Sequence, residues 1–568
     1  MSSRDALADV LRAAKVEPDD LVAELALIRP PSGGSWAMAV LDSGKVDEIR
    51  FAEALAGWAR VPYVAMENLA IGRAGVGMLP SRFVFKHHIL PIEVTDSGVV
   101  KLATYDVFNQ MPRRLAERHF KGRSVQWVIA ARGPLLRKIK ALYGVGAETL
   151  EELLESSDRY DTSDDRELTH DLNTDNPEAS VQRFVNQILR EAIQERATDI
   201  HVEPLEQDLR IRYRIDGILH EAAVPPQLRL LQNAVISRIK VMAKMDIAEK
   251  RLPQDGRISM TDVGANIDVR VSTIPTAWGE SVSLRLLFRN HTYNLDRLDM
   301  TDRQLGIVRE LLAQPNGIIL VTGPTGSGKS TTLYSFLSAI NSVSRRIITI
   351  EDPVEYRMHG VSQIEVKAEI NLTFANGLRA ILRQDPNVVM VGEIRDFETA
   401  EIAIRAAMTG HLVFSTLHTN DAVGGITRLL DMGIEPFLLA SVVRAFLAQR
   451  LVRTICESCK EPATYSRELL EEAGGDFPEG TIFYKGRGCD ACRGSGYRGR
   501  TAIYEICELS EGLRRLIVNK ATGTVLKERA AQDGMLTLRQ DGWRRVLRGQ
   551  TTVEEVIRIT QADDEMME

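Results

Sequence analysis

No uninterrupted apolar run in this sequence approaches the roughly 20 residues that span a bilayer. The strongest candidate, PFLLASVVRAFLAQRLV (436–452), carries Arg444 and Arg450 and reads as an amphipathic core helix. The opening segment, MSSRDALADVLRAAKVEPDD, lacks the apolar centre and small-residue cleavage site of a secretory leader. Basic residues are not in excess: 71 Lys and Arg against 78 Asp and Glu give a formal net charge of −7. A broad nucleic-acid surface needs the opposite balance to neutralise phosphates, so nucleic acid is not an expected partner. Cysteine is scarce too, and all five residues, Cys456, Cys459, Cys489, Cys492 and Cys507, follow position 455. In a reducing compartment, two C-x-x-C pairs point to metal rather than to a disulfide framework. Together these absences predict a cytoplasmic protein, held at a membrane only through partners.

At 568 residues the chain is too long for one core and should contain three or four domains. Residues 1–146 read as an α+β domain, with DEIRFAEALAGWARV as a helix and ILPIEVTDSGVVKLATYD as two strands. SVQWVIA and GPLLRKIKALYG follow as strand and helix. Residues 147–178 are dense in Asp, Glu, Ser and Thr, and such a segment buries too little surface to order itself. It is expected to be a flexible linker. Residues 179–295 form an α+β lobe. In it, LRIRYRIDGILHEA alternates, placing Arg210, Arg212 and Arg214 on one face and Ile211, Tyr213 and Ile215 on the other. From 296 to 455 strands alternate with helices, the pattern of a parallel sheet with crossover helices. A tetracysteine segment (456–507) and a helical region (508–568) complete the chain.

The stretch VTGPTGSGKSTTLYSF (321–336) follows an apolar strand and opens a helix, the setting a phosphate-binding loop requires. Gly323, Gly326 and Gly328, with Pro324, Thr325, Ser327 and Thr331 around them, let backbone N–H groups crowd around phosphate oxygens at a helix N-terminus. Lys329 is placed to reach the β- and γ-phosphates of ATP, and Ser330 to ligate Mg²⁺. The second requirement is a carboxylate at a neighbouring strand end. NVVMVGEIRD supplies Glu393, with Asp396 close by, to act on Mg²⁺ through water or to orient the attacking water. RRIITIEDPVEY adds Glu351, Asp352 and Glu355, and HLVFSTLHTNDA is bracketed by His411 and His418. These clusters are expected to converge at the carboxyl ends of strands in one sheet.

CESC (456–459) and CDAC (489–492) offer four thiolates in two pinching pairs, and an all-sulfur shell selects Zn²⁺ in a closed structural site. The 29 residues between Cys459 and Cys489 exceed the usual ribbon spacing, so the excursion must be stitched down elsewhere. The alternative is a redox pair of the thioredoxin kind. Cys507, isolated in YEICEL, reads as a small buried apolar residue.

GPTGSGKS, EDPVEY, RQDPNVVMVGEIRD and TGHLVFSTLHTNDA resemble the phosphate loop, aspartate box, Walker B glutamate and histidine box of the secretion ATPases, the motors of type II secretion and type IV pilus assembly. The resemblance extends from RATDIHVEP through AQRLVRTIC, covering roughly residues 180–510. It implies an α/β fold: a P-loop, RecA-like motor domain with a parallel sheet, an α+β lobe and an N-terminal α+β domain before it, and a zinc-binding insertion after it. It also implies a homo-hexamer in which arginines of the α+β lobe reach the γ-phosphate. Arg257 of DGRIS and Arg270 of DVRVS match that role, with Arg212 and Arg285 as further candidates. Catalysis is assigned to Glu393, Lys329, Glu351, His418, Arg257 and Arg270. Implied partners are an inner-membrane platform protein and the cytoplasmic domain of a membrane anchor protein, with no direct membrane span. Type II secretion and pilus extension share the motor motifs, whereas retraction motors lack the zinc module. Outside the class, the alternatives are a nucleic-acid translocase and a non-hydrolysing scaffold. The scaffold would be expected to have lost Lys329 or Glu393. Neither is missing.

Overall fold

The computed structural model describes residues 3–16, 19–26, 28, 35–66, 69, 78–95, 98–120, 122–144, 177–262, 265–288, 293–475, 477–478 and 480–560. The chain forms two compact units, Met1–Phe288 and Arg289–Glu568. The acidic linker lies outside the described residues except for Pro177 and Glu178, which open a helix running to Gln194.

In the first unit, strands β1 (Leu90–Val94), β2 (Val100–Thr104) and β3 (Val125–Ile129) make a small sheet, antiparallel then parallel. The helix Glu48–Ala59 begins where Asp47 accepts the Arg50 N–H at 2.8 Å, and it buries Phe51 and Leu55. Both expected strands, and the strand-then-helix pair ending at Tyr143, are present.

The same unit holds a six-stranded sheet: β4 (Asp199–Pro204), β5 (Leu209–Ile215), β6 (Ile218–Glu221), β7 (Gln254–Asp262), β8 (Ala265–Thr276) and β9 (Gly279–Phe288). Its order is β6-β5-β4-β9-β8-β7, with every neighbouring pair antiparallel. Alternation separates the two faces. Ile200, Ile211, Tyr213, Val269, Val271 and Leu284 pack beneath the helix residues Phe184 and Ile188. The arginines occupy the other face.

The second unit is built on seven strands: β10 (Gly317–Thr322), β11 (Ile347–Glu351), β12 (Val361–Glu365), β13 (Val388–Val391), β14 (Leu412–Leu417), β15 (Val443–Ile455) and, after the short pair β16 (Lys460–Ala463) and β17 (Phe483–Gly486), β18 (Tyr497–Glu508). The order is β12-β11-β13-β14-β10-β15-β18, parallel throughout except for the antiparallel edge strand β18. Two cores lie on opposite faces, one containing Ile318, Leu320 and Val413 and the other Ile319, Val321 and Phe414.

PFLLASVVRAFLAQRLV is not one helix. A short helix ends at Val442 and the remainder is β15, the strand beside the phosphate-loop strand. A strand buried on both faces loses its alternation, and then periodicity cannot separate it from a buried helix. Arg444 stays satisfied by donating to the Asn316 carbonyl at 3.1 Å. No helix among the described residues is long and apolar enough to cross a membrane.

Candidate functional site

Strand β10 ends at Thr322, the loop turns through 323–328, and helix α1 (Lys329–Ile340) starts at once. Gly328 has φ +91°, and a Cβ there would fall 2.7 Å from the Gln449 amide nitrogen; one on Gly323 would fall 2.6 Å from the Gln449 carbonyl. Glycine is needed at both because β15 lies against the loop. Gln449 also accepts the Thr332 hydroxyl at 2.7 Å, fixing the first turn of α1. The Lys329 ammonium donates to the carbonyls of Gly323 (2.7 Å) and Pro324 (3.1 Å). Burial and the Arg450 charge lower its pKa to about 8, against the opposing pull of Glu393 and Glu355. The Ser327 hydroxyl is buried without a hydrogen-bond partner. Pro324, Thr325, Gly326 and Thr331 are exposed, while Ser330 is half-buried at the head of α1. A cluster of N–H donors, an ammonium and an orphaned hydroxyl at a helix N-terminus fits a phosphate chain.

Glu393 follows β13 and His418 follows β14, and their side chains meet with Nε2 and Oε2 3.2 Å apart. Arg395 ion-pairs with the other Glu393 oxygen. The Thr322 and Thr419 hydroxyls, 2.6 Å apart, tie the base of the phosphate loop to the histidine turn. Glu351 is 5% exposed, and its carboxylate accepts from Thr349 (2.5 Å), Gln363 (3.0 Å) and Tyr334 of α1. Burial raises its pKa, with those three hydrogen bonds opposing. Its place is inside a brace under α1 rather than on an open surface. Asp396 caps helix α2 (Phe397–Met408), accepting the Thr399 N–H.

His411 departs from expectation. It precedes β14, at the amino end of the strand, and is 2.8 Å from the Ala406 carbonyl at the end of α2. In a parallel sheet the two ends of a strand belong to different sites, so His411 is a structural cap and only His418 joins the cluster.

In the six-stranded sheet, register aligns Arg214, Asp199, Arg285, Arg270 and Arg257 in one row across five strands. Asp199 engages Arg285 at 2.9 Å and Arg214 at 3.6 Å. Arg212 is committed to Glu203, at 2.6 Å. Arg257 is exposed and Arg270 half-buried.

The sulfur atoms of Cys456, Cys459, Cys489 and Cys492 lie within 4.8 Å of one another. Three of the separations are 3.7–3.8 Å. A tetrahedral ion at about 2.3 Å from each sulfur has edges of about 3.8 Å, so the cluster fits zinc. The Cys489 and Gly496 N–H groups point at the Cys492 sulfur, as outer-shell donors do. The intervening excursion is stitched by the antiparallel β16–β17 pair, and Phe483 packs with Trp543 and Val556 of the C-terminal helices. Cys507 is buried in β18, outside the cluster.

Sequence reasoning did not single out Gln449, Thr322, Thr419, Tyr334 or Gln363. Gln449 and Gln363 reach the site only through tertiary contact, and Thr322, Tyr334 and Thr419 lie inside the motif stretches with nothing in the sequence to mark their contacts.

A largely parallel sheet with a phosphate loop on a central strand, and a carboxylate and histidine ending the next two strands, defines a P-loop nucleotide hydrolase. The family described as Type II/IV secretion system protein matches residues 174–558, and the MshEN domain matches residues 59–149. Type II secretion system protein E of Aeromonas hydrophila is 49% identical over 439 residues, covering 74% of this chain and 87% of that protein. The type IV pilus assembly ATPase PilB of Myxococcus xanthus is 41% identical over 546 residues, 94% of each chain. Among solved structures, the ATPase DotB of Legionella pneumophila is similar in fold, with a TM-score of 0.51 at 21% identity over 67% of this chain and 96% of that one. The chain belongs to the type II/IV secretion system protein family and is an ATP-hydrolysing enzyme of the secretion-ATPase kind.

Proposed function

We propose that this enzyme is the cytoplasmic, hexameric ATPase that drives assembly of a pseudopilus for type II protein secretion. Lys329 holds the terminal phosphates of ATP, and Glu393, oriented by His418 and Arg395, positions the attacking water. Glu351 braces the aspartate-box turn against α1 through Tyr334. Ser330 would ligate Mg²⁺, with Glu393 acting on it through water, and the ion when bound would neutralise phosphate charge. Arg257 and Arg270 are the proposed sensors of the γ-phosphate, the role the family resemblance implies for arginines of the α+β lobe. The observation that carries this reading is the arginine row. Two like charges meet across a sheet, in a chain whose other unit keeps a full phosphate-loop and carboxylate set.

The division 1–146, 147–178, 179–295, 296–455, 456–507 and 508–568 assigns partner docking to the first segment, a linker to the second and zinc to the fifth. An inner-membrane platform protein and the cytoplasmic domain of an anchor protein are the proposed partners. Pilus extension is the second reading, favoured by the 41% identity to PilB over nearly the whole chain. Phosphate release from MgATP by the wild type and by Lys329→Ala tests the enzymatic core. Activity lost in a folded variant is expected, and undiminished hydrolysis would overturn it. Deleting the gene and assaying secretion and surface pili separates the two branches.

A further inference from the structure

Glu505 is 2% exposed and sits in β18, where it registers with Ala448 of β15. Ala448 registers with Thr322 at the root of the phosphate loop, and Thr322 with Leu417, the residue before His418. The buried carboxylate therefore lies level with the catalytic end of the sheet, two strands from the loop. Its Oε1 accepts the Ala422 N–H at 2.8 Å and its Oε2 the Leu538 N–H at 3.3 Å. Those groups open helices α3 (Ala422–Asp431) and α5 (Leu538–Leu547), so one carboxylate bridges the positive ends of two helices. Lys527, on α4 (Gly523–Gln532), ion-pairs with Asp421, the cap of α3, at 3.3 Å.

The turn between His418 and Ala422 is thus held at both ends. Thr419 is hooked to Thr322 through its hydroxyl and its N–H, and Ala422 is hooked to Glu505. A turn this short cannot shift at one end alone. Closing a sheet against helices requires no charge, and a buried carboxylate is costlier there than an apolar residue of similar volume.

We propose that Glu505 is a positioning residue for hydrolysis: through Ala422 it fixes the turn carrying His418, and through Leu538 it ties that turn to the seating of the C-terminal helices. The inference rests on the assignment of His418 and Glu393 to the hydrolytic set.

The charged and titratable groups around the carboxylate are Asp421 from the turn, Lys527 from α4 and Cys507 on the same strand. Burial raises the Glu505 pKa to about 7; Asp421 adds to the shift, while the two N–H groups and Lys527 oppose it.

The test is Glu505→Gln in the full chain. Glutamine keeps the size and one acceptor oxygen but must turn an NH₂ toward one of the two helix N–H groups. With one hydrogen bond lost, kcat is expected to fall about tenfold while nucleotide affinity stays within about twofold. The pH dependence of kcat around 7 should flatten, a change that a merely structural role would not produce. Unchanged kcat with an unchanged pH profile overturns the proposal. If the variant does not fold, Lys527→Met carries the test by cutting the Lys527–Asp421 ion pair on the same turn, the link through which α4 holds it. A fall of about threefold in kcat at unchanged affinity supports the proposal, and unchanged kcat overturns it. A wild-type chain that hydrolyses no ATP would overturn the underlying enzymatic reading instead.

Discussion

Arg257 on β7 and Arg270 on β8 stand directly opposite one another in the antiparallel ladder, on the face of the sheet turned away from its core. Like charges so placed repel by roughly 0.2–1 kcal/mol. Asp199, in the same row, engages Arg285 and Arg214.

Arg257 is exposed, so Arg257→Gln is expected to leave the melting temperature nearly unchanged. Its kcat for ATP should fall by about 10³, the lower range for a lost arginine finger. Thermal melts and phosphate release measured on one preparation check both halves. A lower melting temperature with full activity would make Arg257 a packing residue.

Lys329 carries a pH dependence with opposite signs for binding and for folding. Its pKa is lowered to about 8 by burial first, with Arg450 adding to the shift. Phosphate favours the charged amine, so nucleotide affinity should be flat well below pH 8 and weaken as pH rises through it. The unfolded lysine keeps its proton to about pH 10.4, so the nucleotide-free fold gains stability over the same rise. Fluorescent-nucleotide titrations and urea melts on either side of pH 8 read the two trends.

Glu393→Gln should bind MgATP yet lose about 10²–10⁴ in kcat, as expected for a group that positions or activates water. Glu351→Ala should behave differently. Orphaning the Tyr334 and Thr349 hydroxyls, which both donate to Glu351, is expected to cost about 1–3 kcal/mol of stability. Chemical denaturation beside single-turnover hydrolysis distinguishes the two carboxylates.

The cysteine cluster predicts one zinc per chain by atomic emission. Cys489→Ser should lose the metal and lower the melting temperature, because metal binding is coupled to folding. Purified protein with no zinc and four reactive thiols would contradict the assignment.

What was legible in the sequence was local. The glycines and Lys329 form one continuous stretch, and the four cysteines fall in two pairs whose chemistry needs no tertiary context to be read. The alternation of β5 put Arg210, Arg212 and Arg214 on one face, but the row linking Arg257, Arg270, Arg285 and Asp199 depends on the register of strands far apart in sequence. β15 reads as a helix in sequence because a doubly buried strand has no period. His411 and His418 flank one strand, and only the direction of that strand separates them. Gln449 and Glu505 lie more than 100 residues beyond the phosphate loop and become part of its surroundings only when β15 and β18 join the sheet.

The central claim is that guanidinium groups of the α+β lobe distinguish a nucleotide that still has its γ-phosphate from one that has lost it. The most direct measurement compares ATP and ADP affinities, with Mg²⁺ present, for the wild type and for Arg257→Gln/Arg270→Gln. Wild-type preference for a non-hydrolysable ATP analogue over ADP, collapsing in the double variant through weaker analogue binding alone, is the predicted result. An unchanged preference, or an equal loss for both nucleotides, would contradict it.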